Sequence, residues 1–364
     1  MRQTLSQYWY SIQGTLFSFL REELSPLSDK NYKLITCLET VRIEEFIKSF
    51  RGWVGRPESD RAAIARAFIA KAVYKIPTTV QLRDRLICDP VVRRICGWET
   101  KKSIPSESTF SRAFKEFAVS ALPTKAHEAL ILSSQSDRLV GHMSKDSTAI
   151  KAREKALQKP KKELPIKKKR GRKKKGEEKA PPDPSRLELQ LTMNLEDMIA
   201  DLPTSCDVGV KRNSKGYQES WKGYKLHVDV ADGDIPISLI LTSASVHDSQ
   251  AAIPLSLITK GRTTHFYSLM DAAYDSQIIR DYEVSLGHVP LIDFNHRSPK
   301  DEREFLPHEA NRYKERSSAE RFNSQLKDNF GGRFIRVRGP EKVMAHLMFG
   351  VLALTVNQIF RLLT

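Results

Sequence analysis

The sequence predicts an α/β protein in which a mixed sheet with flanking helices is preceded by an α-helical N-terminal domain and carries a basic insertion. Apolar residues recur at helical spacing up to about residue 130, a basic run lies near the middle of the chain, and strand patterns alternate with helical ones from about residue 137. At 364 residues the chain is longer than one typical domain. We expect four parts: a helical N-terminal domain (1–130), a sheet domain (131–340), a basic, partly disordered insertion within it (151–215) and a C-terminal helix (341–364).

The N-terminal part has helical patterns and no strand pattern. ESDRAAIARAFIAKAVYKI places apolar residues at helical spacing, and LRDRLICDPVVRRICGWE adds a second short helical unit. IPSESTFSRAFKEFA begins at Pro105 and Ser106, which is typical of a helix start, and places its three phenylalanines on one face. Two interpretations stay open. This helix packs in a helical hairpin, or it is the second helix of a helix-turn-helix and presents Arg112 to a DNA groove.

Most of the formal net charge of +16 lies in one run. Residues 151–179 hold 15 Lys or Arg against 4 Glu, so the run contributes +11 and the rest of the chain +5. Such a run cannot form a core, and we expect it to be disordered when free. Arg170 and Arg172 flank a glycine at its centre and resemble the core of AT-hook peptides, which bind the minor groove, although lysines replace the flanking prolines. Nonspecific phosphate binding is the favoured interpretation, and a solubilising linker is the alternative.

Strand and helix patterns then follow in turn. RLVGHMSKDSTAI predicts a strand that ends near Asp146, and WKGYKLHVDVADGDIPISLILTSAS predicts two strands joined by a turn at residues 231–234. VHDSQAAIPLSLI predicts a helix capped by Asp248, and THFYSLMDAAYDS predicts a strand that stops at Asp271. DSQIIRDYEVSLG predicts a helix capped by Asp275, and HVPLIDF predicts the last strand.

The order of these elements predicts the sheet. Three antiparallel strands followed by strand–helix units form a mixed sheet covered by helices. This order resembles that of ribonuclease H-like domains, with the basic run and the segment to about residue 215 inserted after the first strand. A long insertion is tolerated because closing a longer loop adds little entropy cost.

Two aspartates end strands that are neighbours in this topology. Asp146 lies at the end of the first, central strand and Asp271 at the end of the fourth. Mg²⁺ prefers carboxylates and water, and metal-dependent chemistry on phosphodiesters needs two or three such ligands close together. An aspartate at a strand end is also a common cap or turn residue, so the pair needs a third group to indicate a metal site.

The stretch RYKERSSAERFNSQLK, residues 312–327, offers a third group. At about 100° per residue on a helix, four of its polar side chains fall within an arc of about 60°. These four are Tyr313, Arg316, Glu320 and Lys327. A separate apolar stripe adjoins them, formed by Ala319, Phe322, Leu326 and Phe330. If the apolar stripe packs on the sheet, Glu320 can face the two strand ends; the alternative is a solvated charged surface.

These residues resemble the DDE transposases of bacterial insertion sequences, in the subgroup with a Y-x2-R-x3-E-x6-K signature. Here the signature reads Tyr313-x2-Arg316-x3-Glu320-x6-Lys327. The resemblance extends through residues 145–147, 223–227, 246–249 and 270–275. CDPVVRRICGW and PSESTFSRAF are similar to the helical domain that precedes the catalytic part of such transposases.

The resemblance implies a metal-dependent phosphoryl-transfer enzyme. Asp146, Asp271 and Glu320 would hold two Mg²⁺ ions, with Mn²⁺ tolerated, and Tyr313, Arg316 and Lys327 would contact DNA beside the scissile bond. Arg316 could instead pair with Glu320. The implied partners are terminal inverted repeats and target DNA, bound by a homodimer that brings two ends together. The implied location is the bacterial cytoplasm, at the nucleoid and away from the membrane.

Two other functions share part of this pattern. A ribonuclease H-like nuclease would have the same carboxylates and would cut DNA without joining it. A DNA-binding regulator with a decayed active site would bind DNA and leave it intact. The presence of all three acids argues against decay.

Several other classes are disfavoured by composition. Cys37, Cys88, Cys96 and Cys206 form no CxxC pair, so the sequence indicates neither a disulfide framework nor a zinc site. The N-terminal residues lack the continuous apolar core of a signal peptide. The uninterrupted apolar run Leu347–Val356 is shorter than the roughly 18 residues that indicate a membrane span, so we expect a buried C-terminal helix.

Overall fold

The computed structural model of the chain describes residues 27–47, 59–158, 183–212, 216–295 and 303–363. Helices fill the described part of the chain before residue 136. Their bounds are α1 (Asp29–Val41), α2 (Arg61–Val73), α3 (Thr79–Cys88), α4 (Pro90–Cys96), α5 (Glu107–Val119) and α6 (Leu122–Gln135).

Local chemistry sets the starts of these helices. Ser106 caps α5 by accepting a hydrogen bond from the backbone N–H of Thr109, as the sequence indicated. The segment LRDRLICDPVVRRIC is two helices and not one, because Pro90 cannot continue α3 and Asp89 caps α4 instead. α6 runs through the predicted boundary at residue 130, and the domain boundaries stay predictions.

Six strands form one mixed sheet in the described residues. They are β1 (Leu139–Lys151), β2 (Asp207–Arg212), β3 (Gln218–Ala231), β4 (Ile235–Ser243), β5 (Thr264–Met270) and β6 (Val289–Ile292). β1 is central, antiparallel to β3 and parallel to β5. β5 pairs in parallel with β6, and β4 and β2 pair with successive halves of β3. The predicted mixed sheet with flanking helices, of the ribonuclease H-like class, is confirmed.

The remaining helices complete the chain. They are α7 (Arg186–Gln190), α8 (Leu195–Asp201), α9 (Ala252–Lys260), α10 (Gln277–Ser285), α11 (Pro307–Tyr313), α12 (Ser317–Asn329) and α13 (Pro340–Leu363). α7, α8 and β2 lie within the predicted insertion, so its later part is folded and the sequence analysis missed these elements. Residues 159–182, which include most of the basic run with Arg170 and Arg172, lie outside the described residues.

Two predictions about element ends are wrong. β1 does not end near Asp146 but continues to Lys151, because β3 goes on pairing with it after β5 has ended. Residues 312–327 are not one helix. α11 ends at Tyr313 and a 3₁₀ turn, Lys314–Arg316, precedes α12. A 3₁₀-helix has about 3.0 residues per turn and an α-helix about 3.6. Tyr313 therefore does not keep the angular position relative to α12 that a continuous α-helix would give it.

α13 is the buried C-terminal helix that the sequence predicts. One of its faces packs with the N-terminal helices, where Phe349 lies 5.5 Å from Phe68 between ring centroids. Its opposite face, which includes Leu347 and Val351, packs with β3, β4 and α12. An all-apolar helix is stable when it is covered on all sides. Its length and apolar composition would suit a membrane span, but 78% of its most apolar 18-residue stretch is buried in the protein.

One glycine fixes the place where β3 changes partners. Gly223 pairs with both Lys151 of β1 and Asp207 of β2, and its φ of 150° is unfavourable for other residues. A Cβ atom there would lie 2.0 Å from the backbone oxygen of Ile150. A side chain cannot fit at this crossing of three strands.

Candidate active site

The sheet register brings Asp146 and Asp271 together. The last parallel pair between β1 and β5 is Lys145 with Met270, and the two aspartates are the next residues on each strand. β1 continues beyond this point, whereas the chain leaves the sheet at Asp271, whose carboxylate caps a short 3₁₀ helix by accepting a hydrogen bond of 3.0 Å from Ala273 N. The two strands therefore separate directly at the carboxylates.

Helix α12 runs along β1 on the face that carries Asp146. Alternate residues of a strand share a face, and three of them meet α12 in order. The Ser144 hydroxyl lies 2.8 Å from that of Ser318, the Asn323 amide donates to Asp146 at 3.0 Å, and the Lys327 ammonium donates to the Thr148 hydroxyl. The apolar residues Ala319, Phe322 and Leu326 are fully buried against the sheet, as the sequence predicted. These contacts fix the position of α12 relative to Asp146.

The opposite face of β1 is held by a buried ion pair. The Lys145 ammonium lies 2.8 Å from Oδ1 of Asp229, and both side chains are almost fully buried. The Thr259 hydroxyl of α9 donates to the same carboxylate at 2.6 Å. A buried pair whose polar atoms are satisfied in this way resists disruption, so the strand that carries Asp146 has little freedom to shift.

Glu320 lies on α12 and does not form a compact group of three with the two aspartates. Its side chain is 57% exposed and accepts a hydrogen bond of 2.6 Å from Arg316. The oxygens of Asp146, Asp271 and Glu320 are not all within 4.8 Å of one another. Arg316 has the alternative role that the sequence left open, and Asn323, one turn beyond Glu320, has the contact with Asp146.

Burial and nearby carboxylates raise the pKa values of the two aspartates. Burial raises the pKa of Asp146 to about 7, and the neighbouring Asp271 adds to this rise while Arg316 opposes it. Burial also raises the pKa of Asp271, with Asp248 contributing and Arg316 again opposing. Two carboxylates that resist ionisation beside each other are the usual electrostatic setting for a divalent cation or a proton donor.

Two buried polar atoms without hydrogen-bond partners lie near Asp146 and Asp271. Oδ1 of Asn323 and the hydroxyl of Tyr274 are buried and have no hydrogen-bond partner. The pKa of Tyr274 is raised well above its ordinary value, mainly by burial and then by the charges of Asp248 and Asp146, so its hydroxyl faces the acidic group. Hard oxygen donors with unmet hydrogen-bonding capacity suit Mg²⁺, which keeps several waters when bound to protein carboxylates. The donor set therefore fits a divalent metal.

Asp248 and Asp275 are not the simple helix caps that the sequence predicted. His247 caps the 3₁₀ helix instead, and the Asp248 carboxylate pairs with the Lys225 ammonium at 2.9 Å. Asp275 accepts from Arg280 at 2.9 Å and from Asn295 N at 3.0 Å. Both carboxylates have cationic partners, which Asp146 and Asp271 lack at hydrogen-bonding distance.

A buried cluster of two histidines and a glutamate lies apart from this site. His265, Glu283 and His288 are buried with one potential ligand atom each within 4.8 Å of the others. Burial alone would raise the pKa of Glu283, but hydrogen bonds from His288 and two serines lower it to about 2. His288 donates at 2.8 Å and the two imidazole rings stack 3.7 Å apart. Because the carboxylate already has these donors, the group is a hydrogen-bonded core cluster.

The predicted DNA-contacting residues fall in different places. Tyr313 is half-buried, stacks on Phe305 at 4.9 Å and lies under Arg316. Lys327 is half-buried, and burial together with the charges of Lys211 and Arg333 lowers its pKa. Arg112 is exposed on α5, opposite the buried phenylalanines. Arg170 and Arg172 lie outside the described residues.

Sequence reasoning missed Asn323, Tyr274 and Lys225. One signal was available, since Asn323 is a polar residue within a helical stretch whose neighbours are buried. The roles of Tyr274 and Lys225 depend on contacts between distant segments, for which the sequence carries no local signal.

Comparison with known families agrees with the fold. The sheet is that of a ribonuclease H-like domain with two acidic residues at adjoining strands. Residues 141–356 match the family model "Transposase DDE domain", and residues 20–116 match "Transposase domain (DUF772)". The first match covers more than half of the chain, so the chain belongs to the DDE transposase family. Searches of curated proteins and of solved structures gave no match.

Proposed function

We propose that this protein is a transposase of the Y-x2-R-x3-E-x6-K subgroup that cleaves the ends of its insertion sequence and transfers the strands to target DNA. One observation carries the proposal. Asp146 and Asp271 follow the last pair of two adjacent parallel strands and have raised pKa values, and α12, which carries Glu320 and Lys327 of the signature, contacts Asp146 through Asn323. The family match adds support because DDE transposases act on DNA with divalent metals.

Asp146, Asp271 and Glu320 would hold Mg²⁺, or Mn²⁺ in its place. Bound divalent ions supply an activated water or 3′-hydroxyl and stabilise the leaving oxygen. For this the aspartates must lose their protons, which the raised pKa of Asp146 delays until near neutral pH. The Asn323 amide holds one oxygen of Asp146 in a fixed orientation, and a carboxylate has further lone pairs for the ion.

Glu320 would join the other acids when DNA binds. Arg316 holds the Glu320 carboxylate by a hydrogen bond. A backbone phosphate is a strong competing acceptor for a guanidinium, so DNA bound beside Arg316 would release Glu320 to turn toward Asp146. Assembly of the site would then depend on substrate, which limits cleavage in its absence.

The remaining DNA contacts would come from several elements. Tyr313, Arg316 and Lys327 would contact the strand beside the scissile bond, and Lys211 and Arg333 add positive charge near Lys327. Arg112 would contact DNA from the helical domain, and Arg170 and Arg172 would do so from the basic insertion. The domain division at residues 1–130, 131–340, 151–215 and 341–364 remains part of this proposal. A homodimer in the bacterial cytoplasm would hold the two inverted repeats together.

The test is an assay of strand cleavage and joining on duplex DNA taken from the flanks of the reading frame, with Mg²⁺. The wild type should cut at the terminal repeat and join the cut end to target DNA. Asp146→Ala, Asp271→Ala and Glu320→Ala should each abolish both steps, while Asp281→Ala, an exposed acid on α10, should not. Intact cleavage in all three variants would end the proposal. Cutting without joining would identify a nuclease, and binding alone a regulator.

A further inference from the structure

A second basic feature lies away from the carboxylates, at a cavity of about 340 Å³ where three distant parts of the chain meet. The helical domain contributes Lys71 of α2, and the start of the insertion contributes Arg153. The loop between α12 and α13 contributes Arg336 and Arg338, and α13 itself contributes Lys342. Five of the lining residues are therefore cationic, and none is acidic.

These five cations have no ion pair or side-chain hydrogen bond with the described residues. Elsewhere on this surface, arginines are usually paired, as Arg321 is with Asp234 at 2.7 Å and Arg280 with Asp275 at 2.9 Å. A group of like charges without counter-charges repels itself and raises the local positive potential. The cavity is therefore prepared for an anion.

Lys71 distinguishes this cavity from an ordinary exposed basic surface. Its side chain is only 9% exposed, lines the cavity and has no partner in the described part of the chain. Burial lowers its pKa to about 8, and its charge in turn helps to lower that of the neighbouring His346. A buried ammonium without a partner is costly, and a bound anion would offset that cost.

The loop that carries the two arginines is held in a fixed position. Ile335 and Val337 pack into the core, so Arg336 and Arg338, which alternate with them, both face outward. The Glu154 carboxylate accepts a hydrogen bond from Gly339 N at 3.2 Å, which ties the end of the loop to the start of the insertion. The arginines are thereby placed beside Arg153 without being neutralised.

The remaining polar lining suits a phosphate. Thr79 opens the ten-residue helix α3, whose first N–H groups favour an anion, and Ser111 adds a hydroxyl. Arginine forks match phosphate oxygens in pairs of hydrogen bonds. We propose that this cavity binds a backbone phosphate of double-stranded DNA, at a contact separate from the carboxylate site. This inference rests on the proposed function only in taking DNA as the anion.

The position fits one continuous duplex. β1 runs from Asp146 through Thr148 and Lys151 toward Arg153, which lines the cavity. Seven residues of nearly extended chain span roughly 20 Å, or about six base pairs at 3.4 Å each. DNA with its scissile bond at Asp146 would therefore reach the cavity within one turn of the double helix.

The experiment measures equilibrium binding of the full chain to a 40-base-pair duplex containing the end sequence, over a range of salt concentrations. Arg336→Gln with Arg338→Gln should lower the slope of log K against log salt by about 0.9, the value for one lost phosphate contact. Lys71→Met should lower it by about 1. Lys125→Gln with Lys260→Gln, which removes two exposed cations from the α9 side of the sheet, should leave the slope unchanged.

Equal slopes for the wild type and the cavity variants would overturn the inference, whether or not the protein cleaves DNA. A lowered slope in a protein that cuts nothing would uphold the cavity and reject the transposase. Thermal unfolding with inorganic phosphate separates the two sources of phosphate. If phosphate stabilises the wild type and not Lys71→Met while the DNA slopes stay equal, the cavity takes a small anion and the DNA contact is refuted.

Discussion

The raised pKa of Asp146 makes a prediction about stability that does not depend on any assay of DNA. In the unfolded chain this carboxyl loses its proton near pH 3.8, and in the folded chain near pH 7. Between these values the unfolded state holds fewer protons, so stability falls as pH rises through this range and is lowest above pH 7. Asp146→Asn has no charge to bury, so it should escape this loss.

The magnitude follows from the two pKa values. The difference between 3.8 and about 7 corresponds to about 4 kcal/mol at 1.36 kcal/mol per pKa unit. Because the side chain is partly exposed and water screens part of the cost, we expect about 2–4 kcal/mol. Asp146→Asn should therefore be more stable than the wild type by this amount at pH 8 and no more stable at pH 4.

Urea unfolding in EDTA at pH 4, 6 and 8 measures this difference. Asp275→Asn is the matched control, because Arg280 and Asn295 hold the pKa of Asp275 below its ordinary value although burial acts the other way. That substitution should destabilise the protein above pH 4. A pH-independent difference for Asp146→Asn, or none at pH 8, would refute the reasoning.

Magnesium extends the same experiment. An ion that binds only the folded state stabilises it by RT ln(1 + [Mg²⁺]/Kd), about 1.4 kcal/mol at ten times Kd. Mg²⁺ should stabilise the wild type at pH 8 and leave Asp146→Asn unchanged. Equal stabilisation of both proteins would place the ion elsewhere.

Three further substitutions test Glu320 and two residues that hold β1 and β3 in place. Glu320→Gln should alter the unfolding free energy by less than about 1 kcal/mol, because the pair with Arg316 is exposed. The same substitution should abolish metal-dependent cleavage. Retained cleavage would show that Glu320 is not part of the site. Lys145→Met should destabilise by about 3–5 kcal/mol in urea unfolding, because it leaves Asp229 buried without its partner, and a loss below 1 kcal/mol would contradict the buried pair. Gly223→Ala should cost more than about 2 kcal/mol, since a side chain there meets backbone and adopts a disfavoured φ; unchanged thermal stability would contradict the close crossing.

The two aspartates could be predicted from the sequence because the strand patterns that precede them are local. The strand pattern that stops at Asp271 is visible in a short window, and the order of strands and helices then makes neighbours of β5 and β1, which carries Asp146. The end of β1 was not within reach, because it depends on β3 pairing beyond the point where β5 leaves.

The signature helix shows the limit of projecting side chains on a wheel. The apolar stripe was correct because α12 is regular from Ser317 onward. The polar stripe was projected as one continuous α-helix, although a 3₁₀ turn interrupts it. The predicted angular position of Tyr313 relative to Glu320 was therefore wrong. The choice between Asn323 and Glu320 as the neighbour of Asp146 depends on where α12 sits along β1, which polar contacts such as Ser318 with Ser144 determine.

The cavity around Lys71 was beyond sequence reasoning for a related reason. It is built from segments that no window contains together, and Lys71 itself lies in a helix whose spacing suggests only packing. The sequence did show that positive charge is concentrated, but it located that charge in the insertion and not at the junction of the helical domain with α13.

A crystal structure of the protein with duplex end DNA and Mn²⁺, located by anomalous scattering, tests the central claim most directly. The account predicts metal bound by both Asp146 and Asp271, with a Glu320 oxygen in the same coordination shell at about 2.0–2.3 Å and Arg316 on a DNA phosphate. Metal bound elsewhere, or Glu320 still paired with Arg316 beside bound DNA, would contradict it.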